Sequence, residues 1–163
     1  MLADMWVLLV RHGEAVDYGE AGDDDSRWLT AHGRDESEAV ARALGTRHKV
    51  DRVFVSPYVR AVQTAELTIA GIGYSGPSRV LQCLTPDGSP DDVLRALEGV
   101  DDNERVMLVG HEPSMHRIAQ ALVRTQSFPP FEKSAICSFQ WTRGSAAKFE
   151  WRLNPRSLAF ETK

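Results

Sequence analysis

The sequence predicts an α/β protein: a three-layer α/β/α sandwich around a mostly parallel central sheet, extended by an antiparallel hairpin near the C-terminus. Short apolar runs of strand length recur along the chain, and segments with a helical period of apolar residues alternate with them. Two alternating runs close the sequence. A length of 163 residues suits one hydrophobic core, so we expect residues 1–163 to form a single domain.

Four apolar runs are the predicted strands of the parallel part of the sheet, because strands buried on both faces are apolar throughout. The runs are residues 6–10 (WVLLV), 52–55 (RVFV), 79–82 (RVLQ) and 105–109 (RVMLV). The run 79–82 is the least apolar of them. Residues 136–141 (ICSFQW) and 147–153 (AKFEWRL) alternate instead, with Gly144 and Ser145 between them. They predict the hairpin.

Helices are predicted between these strands, each with an apolar stripe that would lie against the sheet. The stripes consist of Ala39, Val40, Ala43 and Leu44; of Val93, Leu94 and Leu97; and of Ile118, Ala119, Leu122 and Val123. Thr30 is the expected N-cap of the first helix. The prolines that follow Ser56, Ser89 and Glu112 are each expected at the start of a helix. The predicted order is β-α-β-α-β-α-β-α-β-β.

The charge of the chain argues against nucleic acid and membrane partners. Its 19 basic and 23 acidic side chains give a formal charge of −4, and it has no basic stripe interleaved with aromatic residues. The N-terminus carries Asp4 and an apolar run too short for a signal peptide or a membrane span. We therefore expect a cytoplasmic protein and, by default, a monomer.

No metal or other cofactor is expected either. Cys83 and Cys137 are the only cysteines, and they form neither a CxxC motif nor a cluster with histidines. His32, His48 and His116 lack the spacing of a helical metal pair and are expected to be ordinary surface or helix histidines.

One stretch of the chain is strongly acidic. Residues 16–26 (VDYGEAGDDDS) contain five acids and few apolar groups, which predicts a mobile surface loop. The run lacks the alternating ligand spacing of a calcium loop. Its charge would repel free anionic metabolites, but a solvated loop explains the composition as well, and the sequence assigns it no role.

Arginine and histidine side chains follow three of the predicted strands. Arg11, His12 and Gly13 end the first strand, Arg60 lies in the first turn after the second, and His111 follows the strand 105–109. Ligand sites of open α/β sheets lie beyond the carboxyl ends of the strands. Each residue alone has an ordinary structural explanation, but together they predict a local anion pocket.

The residue types in this pocket predict phosphoryl chemistry. The planar fork of arginine donates to two phosphoryl oxygens at once, so Arg11 and Arg60 can hold a dianion in a fixed orientation. Nearby arginines disfavour the imidazolium form, so His12 should be neutral and nucleophilic, giving a phosphohistidine intermediate. Gly13 should let the backbone bend and approach the His12 ring, whose other nitrogen would donate to a carbonyl.

At these residues the sequence resembles the histidine phosphatase superfamily, which has a phosphoglycerate-mutase-like fold, and within it the SixA-type phosphohistidine phosphatases. The superfamily pattern is Arg11-His12-Gly13, Arg60 in SPYVRAVQT and His111 in VGHEP. The SixA-type likeness extends over residues 27–37 (RWLTAHGRDES), 84–97 (LTPDGSPDDVLRAL), 131–139 (FEKSAICSF) and 151–155 (WRLNP). The resemblance implies that His12 is the nucleophile, that Arg11, Arg60 and His111 bind the phosphoryl group, and that Arg27 adds a contact at the pocket mouth.

The sequence departs from larger superfamily members at the general acid. They carry a Glu or Asp in a long insertion, whereas here only residues 71–105 fill that interval, and Glu14, Asp87 and the acids of residues 17–25 are the candidates. Imidazole leaving from phosphohistidine needs less protonation than an alkoxide. A short, uncovered site also admits a side chain of another protein. Both points favour phosphohistidine on a phosphotransfer or phosphorelay protein as the substrate.

Two alternatives stay open at this stage. A phosphatase of small metabolites, such as sugar or nucleotide phosphates, would place an acidic side chain against the pocket as general acid. A module that only binds a phosphorylated partner would need Arg11, Arg60 and His111 but not the nucleophile His12.

Overall fold

A computed structural model describes residues 3–162 and shows a seven-stranded mixed sheet with helices on both faces. The strands are β1 (Asp4–Arg11), β2 (Arg52–Val55), β3 (Ser78–Val80), β4 (Arg105–Gly110), β5 (Ile136–Thr142), β6 (Lys148–Leu153) and β7 (Phe160–Glu161). Their order across the sheet is β3-β2-β4-β1-β5-β6-β7. The first four in this order are parallel to one another, and the last three continue the sheet by antiparallel pairing.

The helices form the two outer layers. They are α1 (Tyr18–Ala21), α2 (Ala31–Gly45), α3 (Val59–Ile72), α4 (Pro90–Leu97) and α5 (Ser114–Val123), with a 3-10 turn at Gln82–Leu84. One apolar core includes Val40 and Leu44 of α2 against one face of the sheet. The other includes Leu97 of α4 and Ile118 of α5. The predicted three-layer α/β/α architecture is confirmed.

The helix starts agree with the sequence signals only in part. Thr30 caps α2 by accepting a hydrogen bond from the Gly33 amide, and Pro90 is the first residue of α4. Helix α3, in contrast, begins at Val59, two residues beyond Pro57. The Ser56 hydroxyl bonds His111 rather than capping this helix, although it also accepts from the Tyr58 amide. The site therefore uses a residue that the sequence signal assigned to the helix start.

Two short elements were not predicted. Helix α1 has four residues and lies in the acidic stretch, and β7 has two residues at the edge of the sheet. Elements this short do not complete the repeats from which periodicity is recognised. The remaining strands and helices follow the predicted order.

The sheet order brings three strand ends together. Strands β2, β4 and β1 are neighbours and parallel, with Arg11 of β1 opposite Gly110 of β4. Ser56, directly after β2, donates its amide to the Val109 carbonyl of β4. The residues that follow these strands therefore meet at one edge of the sheet.

Two further features concern the described chain as a whole. Across residues 3–162 no helix combines the length and apolarity needed to cross a membrane. Cys83 is half-buried and Cys137 is buried, and both are free thiols. Burial raises the pKa of the Cys137 thiol to about 12, so this residue behaves as a small apolar side chain.

Candidate active site

Arg11, His12, Arg60 and His111 form a cluster at the ends of β1, β2 and β4. His12 lies at its centre, immediately after β1, and is 6% exposed. Its Nδ1 is 2.7 Å from the carbonyl oxygen of Gly13, and its Nε2 is 3.2 Å from Nε of Arg60. A carbonyl only accepts and an arginine N–H only donates. The proton of a neutral ring must therefore be on Nδ1, and the lone pair on Nε2.

The electrostatic surroundings keep His12 neutral. Burial is the main reason that the pKa of His12 lies well below its ordinary value. The bond to Gly13 opposes this shift, while the charges of His111, Arg60 and Arg11 add to it. His12 thus combines a fixed tautomer with an unprotonated Nε2, which is the state that a nucleophilic histidine requires.

Arg60 reaches His12 from the first turn of α3, and only 4% of its side chain is exposed. Besides its Nε contact with His12, Nη1 donates to the backbone carbonyl of Asp24 at 2.5 Å. Nη2 lies 3.3 Å from the Asp24 carboxylate. The guanidinium also lies 5.2 Å from the centre of the Tyr58 ring. Each nitrogen of Arg60 therefore has a protein partner.

His111 follows β4 and is 1% exposed. Its ring centre is 5.0 Å from that of His12, and its Nε2 is 2.7 Å from the Ser56 hydroxyl. Burial, with the Arg60 charge, lowers the pKa of His111 to about 3. Within residues 3–162 its Nδ1 has no hydrogen-bond partner. If Ser56 donates to Nε2, the neutral ring carries its proton on Nδ1 and can donate it to a phosphoryl oxygen.

Arg11 is held from the antiparallel side of the sheet. Its Nη1 donates to the carbonyl of Phe131 at 2.6 Å, and its backbone amide donates to the carbonyl of Ala135. The Ser134 amide donates to the carbonyl of His12. Nε of Arg11 is buried and lacks a protein acceptor among the described residues. Buried donors of this kind normally have a partner, and a phosphoryl oxygen would supply one.

Glycine is required at position 13 because a side chain would not fit there, and not because of the backbone conformation. Its φ lies outside the left-handed region, so the sharp bend expected from the sequence is not what selects glycine. A Cβ there would lie 2.6 Å from the Ser37 hydroxyl and 2.9 Å from the carbonyl oxygen of Gly33. The Gly13 amide also donates to the Thr64 hydroxyl of α3 at 3.1 Å. Helices α2 and α3 thus pack directly against the residue that orients His12.

Comparisons with known proteins agree with this geometry. A model of the histidine phosphatase superfamily (branch 1) matches residues 7–84, a range that contains Arg11, His12 and Arg60. Phosphohistidine phosphatase SixA of Escherichia coli (strain K12) is 32% identical over 157 residues, covering 94% of this chain and 96% of the relative. The chain belongs to the histidine phosphatase superfamily.

Other members of the superfamily resemble the chain over most of its length. A homolog of phosphohistidine phosphatase SixA from Haemophilus influenzae is 27% identical over 147 residues, covering 84% of this chain and 88% of the relative. The solved structure of protein histidine phosphatase SixA complexed with tungstate matches with a TM-score of 0.84 and 34% identity. This match covers 95% of this chain and all of that one. The phosphoglycerate-mutase-like fold expected from the sequence is therefore confirmed.

Four of the five residues selected from the sequence form one connected group. Arg11, His12, Arg60 and His111 influence one another through contacts or charge at the ends of β1, β2 and β4. Arg27 is linked to this group indirectly. Its Nη1 pairs with Asp24 at 3.0 Å and its Nε donates to the Val16 carbonyl, while 24% of its side chain is exposed.

Asp24 is the residue of this histidine phosphatase site whose contacts the sequence did not reveal. The acids of residues 17–25 were candidates for the general acid, but the Asp24 carboxylate lies between Arg27 and Arg60 instead. Burial acts to raise the pKa of Asp24, but the hydrogen bond from Arg27 and the charge of Arg60 outweigh it and lower the pKa. Asp24 is therefore ionised and is a poor proton donor in this arrangement.

The other acidic candidates do not contact the nucleophile. The Glu14 carboxylate accepts a hydrogen bond from the Thr30 hydroxyl, and Asp87 is close enough for its charge to affect Tyr58. The partners of the His12 ring in the described chain are Gly13 and Arg60. Glu112 was not considered from the sequence. Its carboxylate lies 2.6 Å from Nδ1 of His116, which lies in α5 as a helix histidine.

Outside the histidine cluster, the described chain forms an apolar cavity but no group of three potential metal ligands. In residues 3–162, no three His, Cys, Asp or Glu side chains come together so that they could hold a metal ion. An apolar cavity of about 400 Å³ lies between the end of α5 and strands β5 and β6, lined by Phe128, Phe131, Cys137 and Phe149 among others. It shares no lining residue with the cluster around His12.

Proposed function

We propose that this protein hydrolyses phosphohistidine on another protein, with His12 as the nucleophile and without a metal ion. The observation that carries the proposal is the pair of hydrogen bonds on His12, which assigns the proton to Nδ1 and leaves Nε2 unprotonated beside Arg60. The similarity to phosphohistidine phosphatase SixA supports this substrate class. The proposal includes a single domain over residues 1–163, a cytoplasmic location and Arg27 as a contact at the pocket mouth.

In the first step, Nε2 of His12 attacks the phosphorus of the substrate phosphohistidine. A phosphorus–nitrogen bond forms on His12 as the one to the substrate breaks, and its electron pair goes to the leaving nitrogen. An imidazole whose second nitrogen already carries a proton departs as a neutral molecule, so this step needs no acid from the enzyme. Arg11, Arg60 and His111 hold the phosphoryl oxygens and stabilise their charge in the transition state.

In the second step, water attacks the phosphorus of the phosphorylated His12. The phosphorus–nitrogen bond breaks, orthophosphate leaves, and the neutral His12 is restored. The same three side chains bind the oxygens in both steps, because the phosphoryl group stays in place while its partners exchange. Arginine and histidine donors supply this stabilisation without a metal.

A phosphatase of small metabolites is the second candidate, and one observation bears on it. Such an enzyme must protonate an alkoxide, and Asp24 is a carboxylate close to the cluster, in contact with Arg60. Because the arginines lower the pKa of Asp24, it lacks the proton that this role requires. A module that only binds phosphoryl groups is disfavoured because binding alone does not need an unprotonated His12 Nε2 aligned with Arg60.

The test compares two substrates in the presence of a chelator. Purified wild-type protein, His12→Ala and the control His32→Ala are mixed with a phosphohistidine-bearing phosphotransfer protein and, separately, with p-nitrophenyl phosphate. His32 is a suitable control because 68% of its side chain is exposed. We expect release of phosphate mainly from the phosphoprotein and a loss of about 10³-fold or more in His12→Ala. Unchanged turnover in His12→Ala would contradict the nucleophile assignment, and wild-type turnover of the ester alone would favour the metabolite phosphatase.

A further inference from the structure

The contacts of Asp24 raise a question about how a phosphoryl group reaches Arg60. All three nitrogens of the Arg60 guanidinium donate to protein acceptors, two of them on Asp24. Because Nη1 and Nη2 carry two N–H groups each, a phosphoryl oxygen can bind the remaining ones, but it then shares both nitrogens with Asp24. Asp24 also engages Arg27. It thus contacts two arginines at once.

The negative charge of Asp24 also disfavours the binding of a phosphoryl group at Arg60. Its carboxylate is ionised and 28% of its side chain is exposed, so solvent weakens its field without removing it. A phosphoryl dianion attracted to Arg60 would lie close to this carboxylate. Two anions on one guanidinium repel each other, and the free energy of binding the second is reduced accordingly.

We propose that Asp24 is a specificity-determining residue: its carboxylate is an internal competitor for Arg60 and Arg27 that weakens the binding of free orthophosphate. This inference rests on the proposed function, in which orthophosphate is the product. A phosphohistidine on a protein gains further contacts from that protein's surface and can displace Asp24. Orthophosphate makes contacts with the cluster around His12 alone. Competition from the Asp24 carboxylate therefore favours its release.

The neighbouring acids provide matched controls. Asp23 and Asp25 belong to the same run and carry the same charge, but their side chains make no ion pair with Arg27 or Arg60 in the described chain. The backbone carbonyl of Asp25 accepts from the Val59 amide, a contact that Asp25→Asn retains. Asp25→Asn therefore removes one negative charge from the loop and leaves the arginine contacts intact.

The experiment measures the binding of inorganic phosphate to the free protein by calorimetry. Wild type, Asp24→Asn and Asp25→Asn are compared, with the double variants Asp24→Asn/Arg60→Gln and Asp24→Asn/Arg27→Gln and the two single arginine variants. We expect Asp24→Asn to lower the Kd for orthophosphate by about tenfold and Asp25→Asn to change it by less than about twofold. General damage to the loop would weaken binding, so a gain in affinity is specific to the competition.

The double variants show which arginine contact of Asp24 is responsible for the gain in orthophosphate affinity. If Asp24 acts by competing for Arg60, the gain should be much smaller in the Arg60→Gln background. An Asp24→Asn protein that binds orthophosphate no more tightly than Asp25→Asn would overturn the inference. So would a gain that persists undiminished in both arginine backgrounds. Asp24→Ser removes the same charge with a smaller side chain and serves if Asp24→Asn does not fold.

Turnover separates this inference from the proposed function. If the wild type releases phosphate from the phosphoprotein, Asp24→Asn should be inhibited by orthophosphate at about tenfold lower concentration. Wild-type turnover with equal inhibition of both proteins would overturn the role of Asp24 and leave the proposed function intact. Absence of wild-type turnover with tightened orthophosphate binding would overturn the proposed function and support the competition.

Discussion

The parallel half of the sheet, β3-β2-β4-β1, and the antiparallel half, β5-β6-β7, contribute to the site in different ways. The parallel half carries the side chains of the cluster, because Arg11 ends β1, Arg60 follows β2, and His111 follows β4. The antiparallel half contributes backbone groups from the segment before β5. These are the carbonyls of Phe131 and Ala135 and the amide of Ser134.

This difference follows from strand direction. Parallel neighbours present all their carboxyl ends at one edge, so side chains from distant parts of the sequence converge there. Antiparallel neighbours alternate in direction, so the start of β5 and the end of β6 lie at that edge, where Ile136 pairs with Val10 and Leu153. The contacts with Arg11 and His12 come from the segment entering β5, which is next to β1. Side chains on the first half should therefore govern turnover, whereas substitutions deep in the second half should affect stability alone.

The largest expected effect follows from removing one of the two arginines on the parallel half that we propose to bind the phosphoryl group. Arg11→Ala and Arg60→Ala should each lower kcat/KM for the phosphoprotein by about 10²–10³-fold, because each removes charged donors from the transition state. Steady-state kinetics provides the measurement. Arg42→Ala is the control, since Arg42 forms an exposed pair with Glu38. A loss of less than about threefold in Arg60→Ala would contradict its assignment.

A smaller effect is expected from Gly13→Ala. The added Cβ would lie 2.9 Å from the backbone carbonyl oxygen of Gly33, which cannot rotate away, so the segment that orients His12 must shift. We expect kcat to fall by about 10–100-fold, because misplacement of a reacting group is costly. Gly99→Ala is the matched control, since its nearest contact would be at 3.7 Å. Equal activity of the two variants would show that the close packing at Gly13 does not position His12.

A pH-dependent effect on stability is expected from His111. Its folded pKa of about 3 lies below the unfolded value near 6.5, so the unfolded chain binds more protons between these pH values. The stability associated with neutral His111 is present above pH 6.5 and is lost as pH falls towards 3. Urea unfolding of wild type and His111→Asn should differ in slope by up to about 1.4 kcal/mol per pH unit in this window. Parallel pH profiles would contradict the buried, neutral state of His111.

The smallest effect on turnover is expected at the far edge of the antiparallel half. Phe160 of β7 packs edge-on against Trp151 at 4.9 Å between ring centres. Phe160→Ala should lower the free energy of unfolding by about 1–3 kcal/mol, because an aromatic contact and apolar burial are lost. kcat/KM should stay within about twofold of wild type. A large loss of activity in a folded Phe160→Ala protein would break the proposed division between the two halves.

The sequence predicted the features of the site that depend on strand ends. The runs WVLLV, RVFV and RVMLV identify β1, β2 and β4, and their parallel arrangement places Arg11, Arg60 and His111 at one edge. The neutral state of His12 and the donation of its Nδ1 to a carbonyl were also expected from neighbouring charge and tautomer. These features follow from local patterns combined with one rule of topology.

The contacts of Asp24 and Ser56 could not be predicted in the same way. Asp24 belongs to a run without periodicity, and nothing in its composition indicates that its carboxylate meets Arg60, 36 residues further along the chain. Ser56 carried a helix-start signal that competes with its bond to His111. The requirement for Gly13 comes from the packing of α2 and not from its own backbone angles. Each is a tertiary contact, set only once the layers are assembled.

The Arg11 side chain and the Phe131 carbonyl that holds it are 120 residues apart in sequence. Strand β1 therefore cannot complete its part of the cluster until the last third of the chain has paired with it through β5. Contacts of such sequence separation form slowly, since the intervening chain must first be closed into a loop. Recovery of catalysis during refolding should consequently be a late event, following the return of helical signal, and would report that both ends of the polypeptide have come together.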